Sequence, residues 1–317
     1  MSNHVSVMLK QVLGVLSPID GAQYVDGTFG GGGYSRAILD AANCTVIAID
    51  RDPEALTIAR EMQTEFPGRL TVLPGCFGNM KDLLKQAGIT RIDGLALDVG
   101  VSSMQIDDRA RGFSFQGDGP LDMRMDQDKT LQTAADVVNH MDEAGLADVI
   151  YQFGEERASR KIAKAITAAR KEHSITRTSE LAKIVRSVVF KSKDGIDPAT
   201  RTFQALRIYV NGELDELLSG LEAAEALLAP GGRLAVVSFH SLEDRIVKDF
   251  LKIKSGMAAK PSRHFPVPSE DAPVPTFKLL KRGAIKPDDE EIRRNPRSRS
   301  ARLRAAERTD APYRQAA

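Results

Sequence analysis

Residues 26–35 read Asp-Gly-Thr-Phe-Gly-Gly-Gly-Gly-Tyr-Ser, more consecutive glycine than a helix or strand tolerates, directly after the apolar pair Tyr24 and Val25 and ahead of a helical spacing. A bare loop between a first strand and a first helix lets main chain approach a ligand closely at the carboxyl edge of a parallel sheet. Four further apolar runs stop at turn residues: 45–50, 69–75, 94–100 and 233–241. They lack polar alternation, which predicts strands buried on both faces. In the segment 52–62, Asp52 can cap, Pro53 takes the first helical position, and Ala55, Ile58, Ala59 and Met62 share one face. Strand, helix, strand in repetition predicts an α/β fold with a doubly wound parallel sheet.

That rhythm stops after residue 105 and resumes near 206. We therefore expect a discontinuous sheet domain, 1–105 and 206–290, with a helical domain inserted at 106–205, where Ile162, Ile166 and Ala169 form an apolar stripe. A long helix is predicted over roughly 206–228, stopped by Ala-Pro-Gly-Gly at 229–232, with another helix at 242–254. Five prolines within 261–275 predict an irregular loop, and 276–282 a closing edge strand.

The chain of 317 residues carries 44 Lys and Arg against 43 Asp and Glu, so an anionic partner must be met by local patches. Two such patches stand out. Residues 157–177 hold seven Lys/Arg and one glutamate, either a solvated helix face or a phosphate-facing surface. Residues 292–308 hold seven arginines and one glutamate, so 291–317 is expected to be a basic C-terminal tail, disordered or folding onto an anionic partner. The two cysteines, Cys44 and Cys76, have no metal-ligand spacing; they predict small buried hydrophobes, no disulfide framework and no metal. The first residues lack a basic leader and a cleavage site, and no run approaches 18 apolar residues. The expectation is a soluble cytoplasmic protein without a membrane span.

The dinucleotide fingerprint fails in the loop, because its third glycine would fall on Ser35 or Arg36. The acidic-x-Gly-x-Gly-x-Gly loop of S-adenosylmethionine-dependent methyltransferases fits Asp26, Gly30 and Gly32, with Thr28 replacing the first glycine. Asp50 ends the second strand, where a carboxylate can bind both ribose hydroxyls; Phe77 follows the third, beside an adenine position; Asp98 ends the fourth. Such an acidic, phosphate-free site suits a sulfonium cation. Taken singly, Asp50 also reads as a helix cap, Phe77 as core and Asp98 as a turn cap. The Pro-Pro-aromatic segment common after strand four in amine methyltransferases is missing from 98–105, which leaves the acceptor atom open.

Seven stretches carry a longer resemblance: 26–35, Ile49–Leu56, Leu97–Asp107, 111–125, 199–214, 231–248 and 295–309. Together they resemble the MraW (RsmH) family over nearly the whole chain. The resemblance implies a class I (Rossmann-like) S-adenosylmethionine-dependent methyltransferase sheet with a helical insertion, acting on N4 of one cytidine of 16S ribosomal RNA near the decoding centre. It implies cofactor contacts at Gly32, Gly33, Tyr34, Asp50, Phe77, Asp98 and Gln105, of which only Gln105 is unsuggested by periodicity. Two residues depart from the family: Tyr34 stands where histidine is usual and Met104 where proline is usual.

Methyl transfer is an in-line displacement that depends chiefly on positioning. The candidates for handling the acceptor amine are Asp98, main-chain carbonyls of 99–102, Ser102, Ser103 and His240, with His240 read chiefly as structural. Phe113 and Phe115, with Arg109, Arg111 and Arg124, are suited either to stacking a flipped base and gripping phosphates or to tying the insertion together. The partner expected is 16S ribosomal RNA within the small subunit, and monomer and homodimer are both open. A methyltransferase on another RNA or a small molecule, and a non-catalytic cofactor-binding RNA-binding protein, are the alternatives.

Overall fold

The computed structural model describes residues 6–128, 130–190, 195–257 and 274–313. All but the last two residues of the loop expected over 261–275 lie outside them. The strands are β1 (Gln23–Asp26), β2 (Thr45–Asp50), β3 (Leu70–Pro74), β4 (Ile92–Asp98), β5 (Leu228–Ser238), β6 (Phe277–Leu279) and β7 (Arg302–Arg308). The helices are α1 (Leu9–Leu16), α2 (Gly33–Ala41), α3 (Pro53–Glu65), α4 (Met80–Gln86), α5 (Ser103–Asp107), α6 (Ala134–His140), α7 (Glu143–Gly154), α8 (Ser159–Ala169), α9 (Thr178–Val188), α10 (Ala199–Asn211), α11 (Glu213–Leu227), α12 (Ser241–Lys254) and α13 (Asp289–Arg294).

The chain divides into two compact units, one of residues 1–100 and 214–317, the other of 101–213. These limits differ by a few residues from the expected 106–205, for a local reason. The single helix expected over 206–228 is two helices, because Gly212 adopts a left-handed φ of 61° at the end of α10. The apolar face of α10 belongs to the core of the second unit, through Ala199, Phe203 and Leu206.

In the first unit the sheet order is β3-β2-β1-β4-β5-β7-β6, with β1 to β5 parallel and β7 antiparallel to both neighbours. Val25, Ile47, Ile49, Leu95, Leu97, Leu234 and Val236 are buried to within about one per cent of their surface. Each contributes about 1.5–3 kcal/mol of hydrophobic stabilisation. Their β-branched or apolar character on both faces explains why these strands are central. In α3 the Asp52 side chain accepts the Glu54 N–H at 3.0 Å, with Pro53 at the first helical position. Cys44 is buried, whereas Cys76 is partly exposed.

The basic tail expected at 291–317 is corrected by the structure. Residues 289–294 form α13 and 302–308 form β7, a strand flanked on both sides within the sheet. Leu303, Ala305 and Ala306 supply its buried contacts, so small side chains suffice where neighbouring strands are close. Its arginines find local partners: Arg304 grips Asp244 at 2.7 and 2.9 Å, and buried Arg308 donates to the Glu225 carbonyl at 3.0 Å and the Thr276 carbonyl at 3.1 Å. The edge strand expected near 276–282 is β6.

The second unit is a helical cluster with its own core, including Leu121, Met123, Val138, Ile150, Ile162, Ile166, Leu181, Val185 and Phe203. Among the described residues no helix is long and apolar enough to cross a membrane.

Candidate active site

The glycine loop runs from the end of β1 to the start of α2. Gly32 has a φ of 77°, and a Cβ there would lie 2.5 Å from the Phe29 ring and from Met62 Cε. At Gly33 a Cβ would lie 1.8 Å from Ser6 Oγ. Bare backbone is thus required twice over, by conformation at residue 32 and by close approach at residue 33.

Three carboxylates end the adjacent strands β1, β2 and β4. Asp26 has no exposed surface; it accepts the Ser35 hydroxyl at 2.7 Å and the Ser35 and Thr28 N–H groups at 3.1 and 3.3 Å. Burial pushes its carboxyl up to about 6 despite the Ser35 bonds. Asp26 therefore locks the loop to the first turn of α2.

Asp50 holds the loop's middle, accepting the Gly30 N–H at 2.8 Å on one oxygen and the Asp52 N–H at 2.9 Å on the other. The cap of α3 is Asp52, so Asp50 does not serve as one. Burial raises the Asp50 carboxyl above its ordinary value.

Asp98 is held by its main chain, whose N–H donates to the Thr28 hydroxyl at 2.6 Å. Its Oδ1 is sealed from solvent and meets no donor among the described residues. Burial, then the charges of Asp26, Glu243 and Glu291, drive its carboxyl well above the usual range. A sealed carboxylate oxygen without a donor is costly unless a ligand supplies one. A cationic ligand bearing hydrogen-bond donors answers that need at the carboxyl end of β4, the edge where open parallel sheets bind ligands.

Sequence patterns missed what covers the loop. The Tyr34 hydroxyl donates to the Val7 carbonyl, and the Met8 N–H donates to a Glu291 carboxylate oxygen from α13. Ser6, Val7, Met8 and Tyr34 are all buried, and Met8 adopts a left-handed φ of 54°. The side chain at 34, where the chain departs from its resemblance, thus anchors the N-terminal segment. No motif announces these contacts, because the partners are separated by up to 283 residues.

Phe77 opens a short 3₁₀ turn after β3 and is partly buried against the core. A Cβ on Gly220 of α11 would come within 2.6 Å of its ring, so that glycine makes room for it. His240 caps α12: its Nδ1 accepts the Glu243 N–H at 3.4 Å, and its buried Nε2 lies 2.9 Å from Glu243 Oε1 without forming a hydrogen bond. Glu243 in turn accepts the Phe239 N–H at 2.8 Å. The ring therefore has a structural task.

In the second unit Ser102 and Gln105 cap α5 reciprocally, the Ser102 Oγ accepting the Gln105 N–H at 3.2 Å and Gln105 Oε1 accepting the Ser102 N–H at 3.0 Å. Ser103 is the first residue of that helix. Of the residues considered for gripping RNA, Arg124 clasps Asp122 through 2.8 and 2.6 Å bonds, and Arg111 donates to the Met125 carbonyl at 2.7 Å. Phe113 is buried under Arg111, and Phe115 packs edge-on against Phe203 with centroids 4.9 Å apart. The sequence leaves these side chains either to meet a base or to tie the insertion together, and these contacts are of the second kind. Arg109 is exposed.

A seven-stranded sheet of this order with its seventh strand reversed, a glycine loop after β1 and carboxylates ending β2 and β4 define a class I methyltransferase domain. The chain belongs to the MraW methylase family, whose pattern matches residues 1–309. It is 62% identical over 313 residues to the ribosomal RNA small subunit methyltransferase H of Rhodospirillum centenum, covering 99% of this chain and 94% of that one. The proteins of that name from Paramagnetospirillum magneticum and Rhodospirillum rubrum are each 58% identical, each match covering 98% of this chain and 96% of theirs. The cofactor of this chain is S-adenosylmethionine, and the unpaired Asp98 carboxylate oxygen suits a cation bearing donors.

Proposed function

We propose that this protein methylates the exocyclic N4 amine of a cytidine in 16S ribosomal RNA near the decoding centre, in the cytoplasm and within the small ribosomal subunit. The substrate class rests on the full-length kinship with relatives named for the small-subunit RNA. The chemistry rests on one observation, the sealed and unpaired Asp98 Oδ1 at the end of β4.

When bound, the cofactor supplies an electrophilic methyl carbon on a sulfonium. In our reading the main chain at Gly32, Gly33 and Tyr34 approaches it, Asp50 takes the ribose hydroxyls, the Phe77 ring borders the adenine, and Asp98 takes a donor. Gln105 is assigned to the cofactor on family resemblance alone.

Cytosine N4 is a poor nucleophile because its lone pair is delocalised into the ring. An acceptor for one of its N–H bonds favours pyramidal nitrogen, and the segment following Asp98 is where we place it. The Ser102 hydroxyl already accepts the Gln105 N–H. The candidates are the main-chain carbonyls of residues 99–102, the Ser103 hydroxyl and the second lone pair of the Ser102 hydroxyl. His240, occupied as a helix cap, is not a required general base, since the proton can leave after attack. Unit 101–213 is assigned to recognition of the RNA.

Nucleoside digests of 16S ribosomal RNA from cells lacking this gene should lack one N4-methylcytidine, and complementation should restore it. An unchanged modification pattern would sink the assignment.

A further inference from the structure

Within the helical unit most arginines have a structural occupation. Arg124, Arg177, Arg186 and Arg207 each clasp a carboxylate at 2.6 to 2.9 Å, and Arg170 donates to the Met141 carbonyl at 2.6 Å. Arg157, Arg160, Lys161, Lys164 and Lys171 differ. All five are exposed, and their side chains meet no partner among the described residues.

Three of them lie on α8. At about 100° per residue, Arg160, Lys161 and Lys164 fall within an arc of about 100°, opposite the buried Ile162, Ala163 and Ile166. Arg157 and Lys171 flank the helix at its two ends. The α8 sequence contains no acid, so none of the Glu–Lys pairs four residues apart that usually stabilise a solvated face is present. Arg160 and Lys161 also occupy the first turn, next to the positive end of the helix dipole, where a cation is unfavourable. This arrangement weakens the isolated helix and is not explained by folding. A polyanion laid along the arc removes both penalties.

We propose that this face of α8 grips backbone phosphates of the ribosomal RNA outside the target nucleotide, an inference that rests on the RNA-substrate reading. The partner is RNA because the α8 face offers positive charge and the helix carries no aromatic side chain, which suits a sequence-independent phosphate backbone.

The test is the triple variant Arg160→Gln, Lys161→Gln, Lys164→Gln, compared with wild type for binding to unmethylated small subunits across a salt series, with cofactor affinity and melting measured alongside. The expected result is at least tenfold weaker subunit binding at about 0.15 M salt, with unchanged cofactor affinity and a melting temperature that is not lowered. Its log–log salt slope should be shallower by about 2–3, at roughly 0.7–0.9 per lost phosphate contact. Lys164→Glu alone should shift binding in the same direction. Wild-type affinity and slope in both variants would overturn the proposal while leaving the RNA reading intact; failure of the wild type itself to bind subunits would overturn both.

Discussion

At the scale of single residues, the three strand-end carboxylates have different tasks, and each has a distinct signature. Asp98→Asn should weaken cofactor binding about 10–100-fold by removing a charge-assisted contact. Loss of rate at unchanged affinity, measured by calorimetry and single turnover, would contradict that assignment. Because the free carboxyl titrates well above its ordinary value, cofactor affinity should fall as pH drops through that raised value. The Asn variant should lose this dependence. Asp26 acts on stability instead. Its folded value of about 6 exceeds that of an unfolded aspartate, so its stabilising contribution is complete below about pH 4 and is lost as pH rises through about 6. Melting curves between pH 4 and 7 should therefore flatten in Asp26→Asn, and an unaltered profile would count against burial as the cause. Asp50 and Asp98 were legible because a carboxylate closing an apolar run is conspicuous. The roles of Tyr34 and Glu291 were not, since only the folded chain brings them to Val7 and Met8.

At the scale of elements, apolar runs followed by turns marked β1 to β5, and a proline just inside a capped helix marked α3. β7 escaped because its arginines masked a short apolar content. A strand flanked on both sides needs only Leu303, Ala305 and Ala306 to pack, and its guanidiniums are satisfied by Asp244 and by main-chain carbonyls. Two expectations follow. Truncation before residue 302 should abolish cooperative unfolding, which circular dichroism would detect. Arg308→Ala should cost about 2 kcal/mol or more in urea unfolding, because three main-chain carbonyls lose their donor. A truncated chain that melts normally would restore the view of this segment as a tail. The break between α10 and α11 was hidden for a related reason: both helices carry an apolar periodicity, and only the sign of φ at Gly212 separates them.

At the scale of the whole molecule, the chain forms two units with separate cores, and we assign the sheet to the cofactor and the helical cluster to RNA. Its near-zero net charge conceals that division, because carboxylates gather at the strand ends and open cations on α8. The most direct measurement of the central claim is transfer of labelled methyl from S-adenosylmethionine to purified small ribosomal subunits from cells lacking this gene, followed by nucleoside analysis. The account predicts label in N4-methylcytidine of 16S ribosomal RNA; cofactor binding without any label there would contradict it.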